Sequence, residues 1–318
     1  VSAFPVDLAA IRAAATRLDG IAHRTPVVTC VTLDQLAGRR LFFKCEQFQK
    51  VGAFKFRGAW NAVASLEDAT AARGVATHSS GNHAQALALA ARLRGIPVHL
   101  VMPRTAPAVK RRAVEGYGGL VIPCAPTLAA REETVARVLA ETGASLIHPY
   151  DDATVIAGQG TVALELLAQT GPLDAIVVPV GGGGLLAGTA IAAIAVQPGI
   201  RILAAEPAGA DDAARSKRAG VRIAQQAPQT IADGLLTSLG ISTWPVLRDL
   251  VETVVTVSES EIVTAMRLAW ERAKLLIEPS AAVALAAVLS DCLRISDIGE
   301  RVGVVLTGGN VDLDHLPW

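Results

Sequence analysis

Short apolar runs alternate with longer amphipathic stretches along the chain. The runs Arg40–Cys45, Gly74–His78, Val98–Met102, Leu120–Pro123, Ser145–His148, Ala175–Val180, Arg201–Glu206 and Val302–Thr307 read as strands. Between them the spacing predicts helices over Ala53–Ser65, Ala84–Arg94, Pro107–Gly116, Ala130–Thr142, Val162–Ala168, Leu185–Val196 and Ser260–Leu276. Strands separated by helices of this length imply parallel βαβ units and an α/β fold. The stretch Ala175–Val196 carries no charge and is long enough to span a bilayer. Pro179 and four consecutive glycines interrupt it, which a membrane helix tolerates poorly, so it reads as a strand, a loop and a buried helix. In folds of this kind ligands collect where the carboxyl ends of strands lead into helices.

A length of 318 residues suggests about two domains. Hydrophobic residues make up 51% and charged residues 18%, enough for a sizeable core and unlike a disordered chain. Lys+Arg and Asp+Glu are both 29, so no basic surplus exists to neutralise phosphates, and nucleic acid is not an expected partner. Cys30, Cys45, Cys124 and Cys292 form no C-x-x-C pair, which speaks against a zinc ribbon or a disulfide framework and suits a reduced compartment. Charges in Val1–Gly20 recur at helical spacing and do not precede an apolar block, so no targeting segment is read and a cytoplasmic location is expected.

Two features carry candidate chemistry. Val177-Val178-Pro179-Val180 runs into Gly181-Gly182-Gly183-Gly184 and then a helix. Glycines let successive backbone N–H groups converge on an anion, and the helix N-terminus favours phosphate. A tight turn is the plainer explanation, but four glycines exceed what a turn needs. Gly182-x-Gly184-x-x-Ala187, with Glu206 ending the next strand, also fits a dinucleotide fingerprint, and the loop alone does not separate the two. No G-x-x-x-x-G-K-[ST] occurs, which excludes a P-loop ATPase. The second feature is Lys55. The chain has six lysines and six phenylalanines; three of the former and five of the latter fall between Phe42 and Phe56. In Phe54-Lys55-Phe56 the amine is poorly placed for a solvated role. Burial would lower its pKa and make it a usable nucleophile or base, whereas a snorkelling lysine is the commoner alternative. Together, an activated lysine and a phosphate cradle suggest pyridoxal phosphate held as a Schiff base.

The segment from Lys44 to Ala59, containing Gly52-Ala53-Phe54-Lys55-Phe56-Arg57-Gly58, resembles the Schiff-base segment of fold-type-II pyridoxal phosphate enzymes. It is most similar to the branch of serine racemases, serine/threonine dehydratases and 3-hydroxyaspartate ammonia-lyases. Thr77-His78-Ser79-Ser80-Gly81-Asn82-His83, Val180–Gly184, Glu206-Pro207 with Asp211-Asp212, and Thr307-Gly308-Gly309-Asn310 agree in order, so the resemblance runs from about His23 to Leu313. Of three asparagines in the chain, Asn82 and Asn310 fall inside these motifs.

The resemblance implies a two-domain α/β fold of parallel sheets. A large cofactor domain (1–73 and 150–318) and a small mobile domain (74–149) would enclose the site in their cleft. It implies Lys55 as the Schiff-base lysine that removes the Cα proton, and Ser80 as a second acid/base on the opposite face. Phe54 and Asn82 would position the ring, Gly181, Gly182, Gly183 and Gly184 the phosphate, and Thr307 the pyridine nitrogen. Ser79, Ser80, Gly81, Asn82 and His83 would bind the substrate carboxylate, with Tyr150 and Thr237 facing the substrate and Arg131 a distal carboxylate. Glu206, the Ala210 carbonyl and Asp212 match a site for Mg²⁺, Ca²⁺ or Mn²⁺; the plainer reading is an acidic loop. Lys50, Gln85 and Tyr117 match part of a nucleotide-effector site, but Cys30-Val31-Thr32 departs from it, so no ATP response is expected. With Trp318 eight residues after Asn310, no regulatory domain and no feedback by an isoleucine-type effector are expected. A homodimer is the family expectation.

A neutral Thr307 would not enforce ring protonation, which would keep carbanion charge near Cα and favour elimination. The leading expectation is therefore dehydration of a β-hydroxy amino acid (3-hydroxyaspartate, serine or threonine) to a 2-oxo acid and ammonia. Racemisation by the Lys55/Ser80 pair is the alternative. Further alternatives are a β-replacement synthase, a dinucleotide-binding protein and a non-enzymatic phosphate-ligand module.

Overall fold

The apolar runs become the strands of two separate sheets in a computed structural model of the chain, which describes residues 4–79, 81–106 and 108–318, without the side chains of 108–110 and 128. The strands are β1 (Val27–Val28), β2 (Arg40–Cys45), β3 (Val75–His78), β4 (Val98–Pro103), β5 (Leu120–Cys124), β6 (Ser145–Leu146), β7 (Ala175–Pro179), β8 (Arg201–Pro207), β9 (Thr253–Val257) and β10 (Arg301–Leu306). The larger sheet runs β1-β2-β10-β7-β8-β9 and the smaller β5-β4-β3-β6. Neighbours are parallel throughout, except β1, which pairs antiparallel with β2.

The central strand β7 shows why the runs are continuously apolar. Ile176 and Val178 face one layer, with the helices Leu8–Leu18, Ala153–Thr170 and Gly184–Val196. Ala175 and Val177 face the other, with Val31–Ala37, Glu259–Leu268 and Pro279–Leu289. A strand covered on both faces has no polar side to display. Helix Lys55–Ser65 packs differently. Phe56, Ala59 and Val63 share a cluster with Val75, Leu87 and Leu100 of the smaller sheet's layers, so an element early in the chain is part of the core around the second sheet.

Several elements differ from the sequence reading. The helix expected at Val162–Ala168 runs Ala153–Thr170. Gly158 and Gly160 look like breakers, but they mark helix crossings. A Cβ on Gly158 would meet the Arg57 carbonyl oxygen at 2.6 Å, and one on Gly188 would meet the Ile156 carbonyl oxygen at 2.4 Å. Three helices thus touch backbone to backbone, and glycine is required for that approach. The helix expected to reach Leu276 ends at Leu268 and passes into a π turn, Ala269–Ala273, closed by Lys274 at φ 59°. Strands β1 and β9 were not expected: β1 has two residues, and β9 is a half-buried edge. Pro279–Leu289, alanine-rich and buried along its length, offers no amphipathic period to read. Among the described residues no helix is long and apolar enough to cross a membrane.

Candidate active site

The motifs converge at the carboxyl ends of strands, as the fold class predicts. The segment following β2 is sewn to the segment following β10. Ala53 forms a bridge with Gly308, the Phe54 N–H donates to the Thr307 carbonyl at 3.0 Å, and the Gly309 N–H donates to the Gly52 carbonyl at 3.0 Å. Lys55 begins its helix from this anchored loop. Its Nζ donates to the Pro149 carbonyl at 2.8 Å and lies 5.1 Å from the centre of the Phe54 ring. Burial lowers its pKa to about 8 against the opposing pull of Glu278. Burial thus brings the amine closer to neutrality than a solvated lysine.

Beneath this helix lies a quartet of buried charges. Arg57 Nε donates to Glu46 at 2.8 Å and Nη1 to Glu165 at 2.7 Å, while Lys44 Nζ donates to Glu165 at 2.8 Å. The Lys44, Glu46 and Arg57 side chains are 0% exposed. Burial works against Glu165 as a carboxylate, yet Arg57 and Lys44 outweigh it and hold its pKa low. The quartet ties β2 to the lysine-bearing helix and to Ala153–Thr170.

The glycine loop joins β7 to helix Gly184–Val196 and is buried. Each glycine has a neighbour where a side chain would be. Added Cβ atoms would stand 3.0 Å from Leu235 Cα at Gly181, 2.2 Å from Tyr150 Cγ at Gly182, 2.7 Å from Thr243 Oγ1 at Gly183 and 2.8 Å from the Tyr150 carbonyl oxygen at Gly184. Gly183 also takes a left-handed φ of 88°. Tyr150 thus rests directly on Gly182, while Thr243 Oγ1 donates to the Gly182 carbonyl at 2.8 Å. Burial raises the Tyr150 phenol, and a hydrogen bond with the Thr237 hydroxyl partly offsets this. Pro149 touches the lysine amine and Tyr150 touches the glycine loop, so two consecutive residues connect the two ends of the site.

A third group is built on Glu278, which the sequence reading missed. Its carboxylate accepts from Asn82 Nδ2 at 2.9 and 3.2 Å and from the Asn310 backbone N–H at 3.0 Å. Asn310 Nδ2 donates to the Val51 carbonyl at 2.8 Å and to Asn82 Oδ1 at 2.9 Å. The available signal was a carboxylate placed just before Pro279 and a wholly apolar helix, with Asn310 already singled out by its motif.

The remaining expectations fall around these groups. Thr307 is 4% exposed, and Ser79 Oγ accepts from the Gly81 N–H at 3.4 Å. His83 is 2% exposed and its Nε2 lies 3.1 Å from the Ile147 carbonyl. Burial and the nearby Lys55 lower its pKa to about 3, so its ring is neutral and serves the packing of the smaller sheet's layer. His148 Nδ1 accepts from the Asp151 N–H at 2.9 Å, and the His148 ring meets Tyr150 edge-on at 4.6 Å. Arg131 is half-buried beside His78 and Cys124, and its Nε is buried without a partner among the described residues. Ser80 lies outside the described residues.

Glu206 and Asp212 form a separate site. Both are 1% exposed. Glu206 accepts from the Ala214 and Ala213 N–H groups at 2.6 and 3.2 Å, and Asp212 from the Leu239 N–H at 2.8 Å. Burial raises Glu206 to about 8 and Asp212 to about 6, with the neighbouring Asp212 adding to the rise at Glu206. Ala210 is buried in the turn between them. Among the described residues no three His, Cys, Asp or Glu side chains gather as a metal cluster. A cation here would therefore depend on two carboxylates and backbone oxygen. The site meets the glycine loop at Leu239, whose Cδ1 lies 2.9 Å from a Cβ placed on Gly183.

The family profile described as pyridoxal-phosphate dependent enzyme matches residues 18–308. The chain is 54% identical to a serine racemase of Arabidopsis thaliana, covering 98% of this chain and 96% of that one. It is 53% identical to a beta-hydroxyaspartate dehydratase of Paracoccus denitrificans, covering 96% of each. The solved structure of maize serine racemase superposes with a TM-score of 0.96 at 52% identity, covering 98% of this chain and 95% of the other.

Proposed function

Because the chain belongs to the family of pyridoxal-phosphate dependent enzymes, we propose that it racemises serine and, at the same site, removes water and ammonia from β-hydroxy amino acids. The observation that carries this is the buried Lys55 amine, bonded to the Pro149 carbonyl next to the tyrosine that rests on the glycine loop. The residues fit the cofactor. A buried run of four glycines opening a helix of 13 residues, whose first backbone N–H groups lack partners within the helix, suits a phosphate. The anchored Phe54-Lys55 turn faces it through Pro149 and Tyr150. Bound there, pyridoxal phosphate supplies an electron sink for charge developing at the substrate α-carbon.

The chain's own residues do the rest. Lys55 takes and returns the α-proton, and its lowered pKa matches that task near neutral pH. Gly181–Gly184 would hold the phosphate, Thr307 would offer the ring nitrogen a neutral group, and Asn82 would offer the ring oxygen its amide. The N-terminal turn of helix Asn82–Arg94 receives the substrate carboxylate, and Tyr150 closes the substrate side. Ser80 serves as the opposite-face acid, an assignment supported by its motif. The part of the chain from 74 to 149 closes over bound substrate.

Placing racemisation first reverses the order expected from Thr307 alone. The support is that two of the three relatives described above are serine racemases. One observation favours a second reading, 3-hydroxyaspartate as the preferred substrate. The partly buried Arg131 has an unpartnered Nε, suited to a distal carboxylate, and the Paracoccus relative is named for that substrate.

Glu206, the Ala210 carbonyl and Asp212 suit a small hard cation. Two buried carboxylates with raised pKa values and only oxygen donors form a set for Mg²⁺, Ca²⁺ or Mn²⁺. The cation would neutralise buried charge and brace the loop at Leu239.

The test is product analysis on the cofactor-loaded protein. Incubation with L-serine should yield D-serine by chiral chromatography together with pyruvate. Oxo acid alone, with 3-hydroxyaspartate consumed far faster than serine, would replace the first reading by the second. In that case Arg131→Ala should lose hydroxyaspartate turnover while keeping that of serine.

A further inference from the structure

We infer that Glu278 is the positioning residue of the site: its carboxylate pins the Asn82 amide in one orientation and, through Asn310 and Val51, locks the start of the lysine-bearing helix to the N-terminus of helix Asn82–Arg94. This rests on the reading above.

A carboxylate accepts hydrogen bonds and does not donate them. The Asn82 atom at 2.9 and 3.2 Å from its two oxygens is therefore the amide nitrogen. Likewise, the Asn310 atom at 2.8 Å from the Val51 carbonyl must be a nitrogen. That nitrogen then finds Asn82 Oδ1 at 2.9 Å, the partner it needs. The chain of groups has one self-consistent arrangement, and Glu278 fixes its polarity. The two Glu278 contacts share one N–H of Asn82, which leaves the other for a ligand oxygen. Replace the carboxylate by a group that can donate, and either amide can turn over, presenting oxygen where a donor is wanted.

The carboxylate is itself tightly held. Glu278 is 4% exposed and caps helix Pro279–Leu289. Its backbone N–H donates to the Gly308 carbonyl at 3.0 Å, and a Cβ on Gly308 would come within 2.7 Å of Oε1. The three segments it joins flank the site: 50–52 ahead of Lys55, the turn entering helix Asn82–Arg94, and the motif after β10. Val51, whose carbonyl takes the Asn310 bond, sits at φ 59°, a strained value for a β-branched residue. A strained loop needs such a clamp. Charge adds a second effect. Of the groups around Lys55, His83 and His148 are imidazoles that burial keeps neutral, and Glu278 is the anion that opposes the loss of the lysine proton.

The test compares Glu278→Gln and Glu278→Asp with the wild-type chain, using two readouts. The first is the pH at which Lys55 in the cofactor-free protein becomes half-reactive toward acetic anhydride, read by peptide mass spectrometry. The second is the dissociation constant for pyridoxal phosphate, from absorbance titration. Glu278→Gln should move the labelling midpoint to lower pH by about one unit and weaken cofactor binding about tenfold. Glu278→Asp should restore the midpoint, since charge returns, but not the full affinity, since the reach is shorter. A wild-type midpoint and a wild-type dissociation constant in Glu278→Gln would overturn the inference. If that variant does not fold, Asn310→Ala removes two hydrogen bonds and leaves the charge. It should weaken the cofactor with an unmoved midpoint, and unchanged affinity there overturns the clamp. A wild-type chain that binds no pyridoxal phosphate would instead sink the proposed function, while the labelling midpoint would still report on Glu278.

Discussion

Two clusters of buried charge lie in this molecule, and they are built on opposite terms. In the quartet of Lys44, Glu46, Arg57 and Glu165 every charge meets an opposite one at 2.7–2.8 Å. Removed from water, the group is neutral as a whole. In the pair Glu206 and Asp212 two carboxylates are buried side by side and hydrogen-bonded to backbone N–H groups, with Arg215 and Arg222 opposing the rise at Asp212 less strongly than burial drives it. One cluster has its Glu165 held low by Arg57 and Lys44 against burial; the other has both acids pushed up by burial. The difference teaches that burial alone does not mark a binding site. A buried charge with a counter-charge in direct contact is architecture, whereas a buried carboxylate pair without one is the candidate for a ligand.

The largest effect should come from breaking the quartet. Arg57→Met leaves Glu46 with only the Thr25 hydroxyl, which donates to it at 2.6 Å, takes the guanidinium from Glu165, and should cost about 3–5 kcal/mol in urea unfolding. A loss below about 1 kcal/mol would mean that Lys44 and Thr25 suffice. Next is the cation response of the acid pair. A divalent ion at a hundred times its dissociation constant should stabilise the chain by about 2.7 kcal/mol, measured as the difference between Mg²⁺ and EDTA at pH 8.

The two clusters also have opposite pH signatures. A raised carboxylate means that the folded state binds more protons than the unfolded one, so stability falls as pH rises. For Glu206 that window runs from the ordinary glutamate value of 4.5 to about 8, and for Asp212 from the ordinary aspartate value of 3.8 to about 6. The depressed Glu165 works the other way, losing stability as pH falls below 4.5. In EDTA, thermal unfolding should therefore show its maximum in mildly acidic buffer, and Mg²⁺ should move that maximum toward higher pH. A profile in EDTA that still rises up to pH 8 would contradict the assignment of the pair.

A smaller effect should follow from Asp212→Asn, which keeps an oxygen for the Leu239 N–H and removes one charge. In EDTA at pH 8 it should stabilise by about 1 kcal/mol and erase the response to Mg²⁺. Asp212 is a better choice than Glu206, whose two oxygens both accept backbone hydrogens. The baseline is an exposed pair. Glu141→Gln, opposite Arg137 with both side chains more than half exposed, should change stability by less than about 0.5 kcal/mol.

What the sequence made legible follows from these physical terms. Strands covered on both faces announce themselves as apolar runs, and seven of the eight expected runs end within one residue of the observed C-terminal boundary; only the Ser145–His148 run overshoots, β6 stopping at Leu146. Lys55 stood out because it lies between two phenylalanines, and the glycines because no turn needs four. The reason given for the glycines was incomplete. Tyr150, Leu235 and Thr243 already fill the space where side chains would be, so the loop serves protein packing as well as any phosphate. Helix Ala153–Thr170 was half hidden because glycine signals both a break and a close helix crossing, and only the partner helix decides which. Glu278 was hidden for another reason. Its partners lie 196 and 32 positions away, and no local pattern encodes a carboxylate that orients a distant amide.

The Pro149–Tyr150 dipeptide has one more consequence. One of its residues caps the lysine nitrogen and the other rests on Gly182. A backbone shift at this dipeptide would therefore be felt twice, at the lysine amine and at the glycine loop.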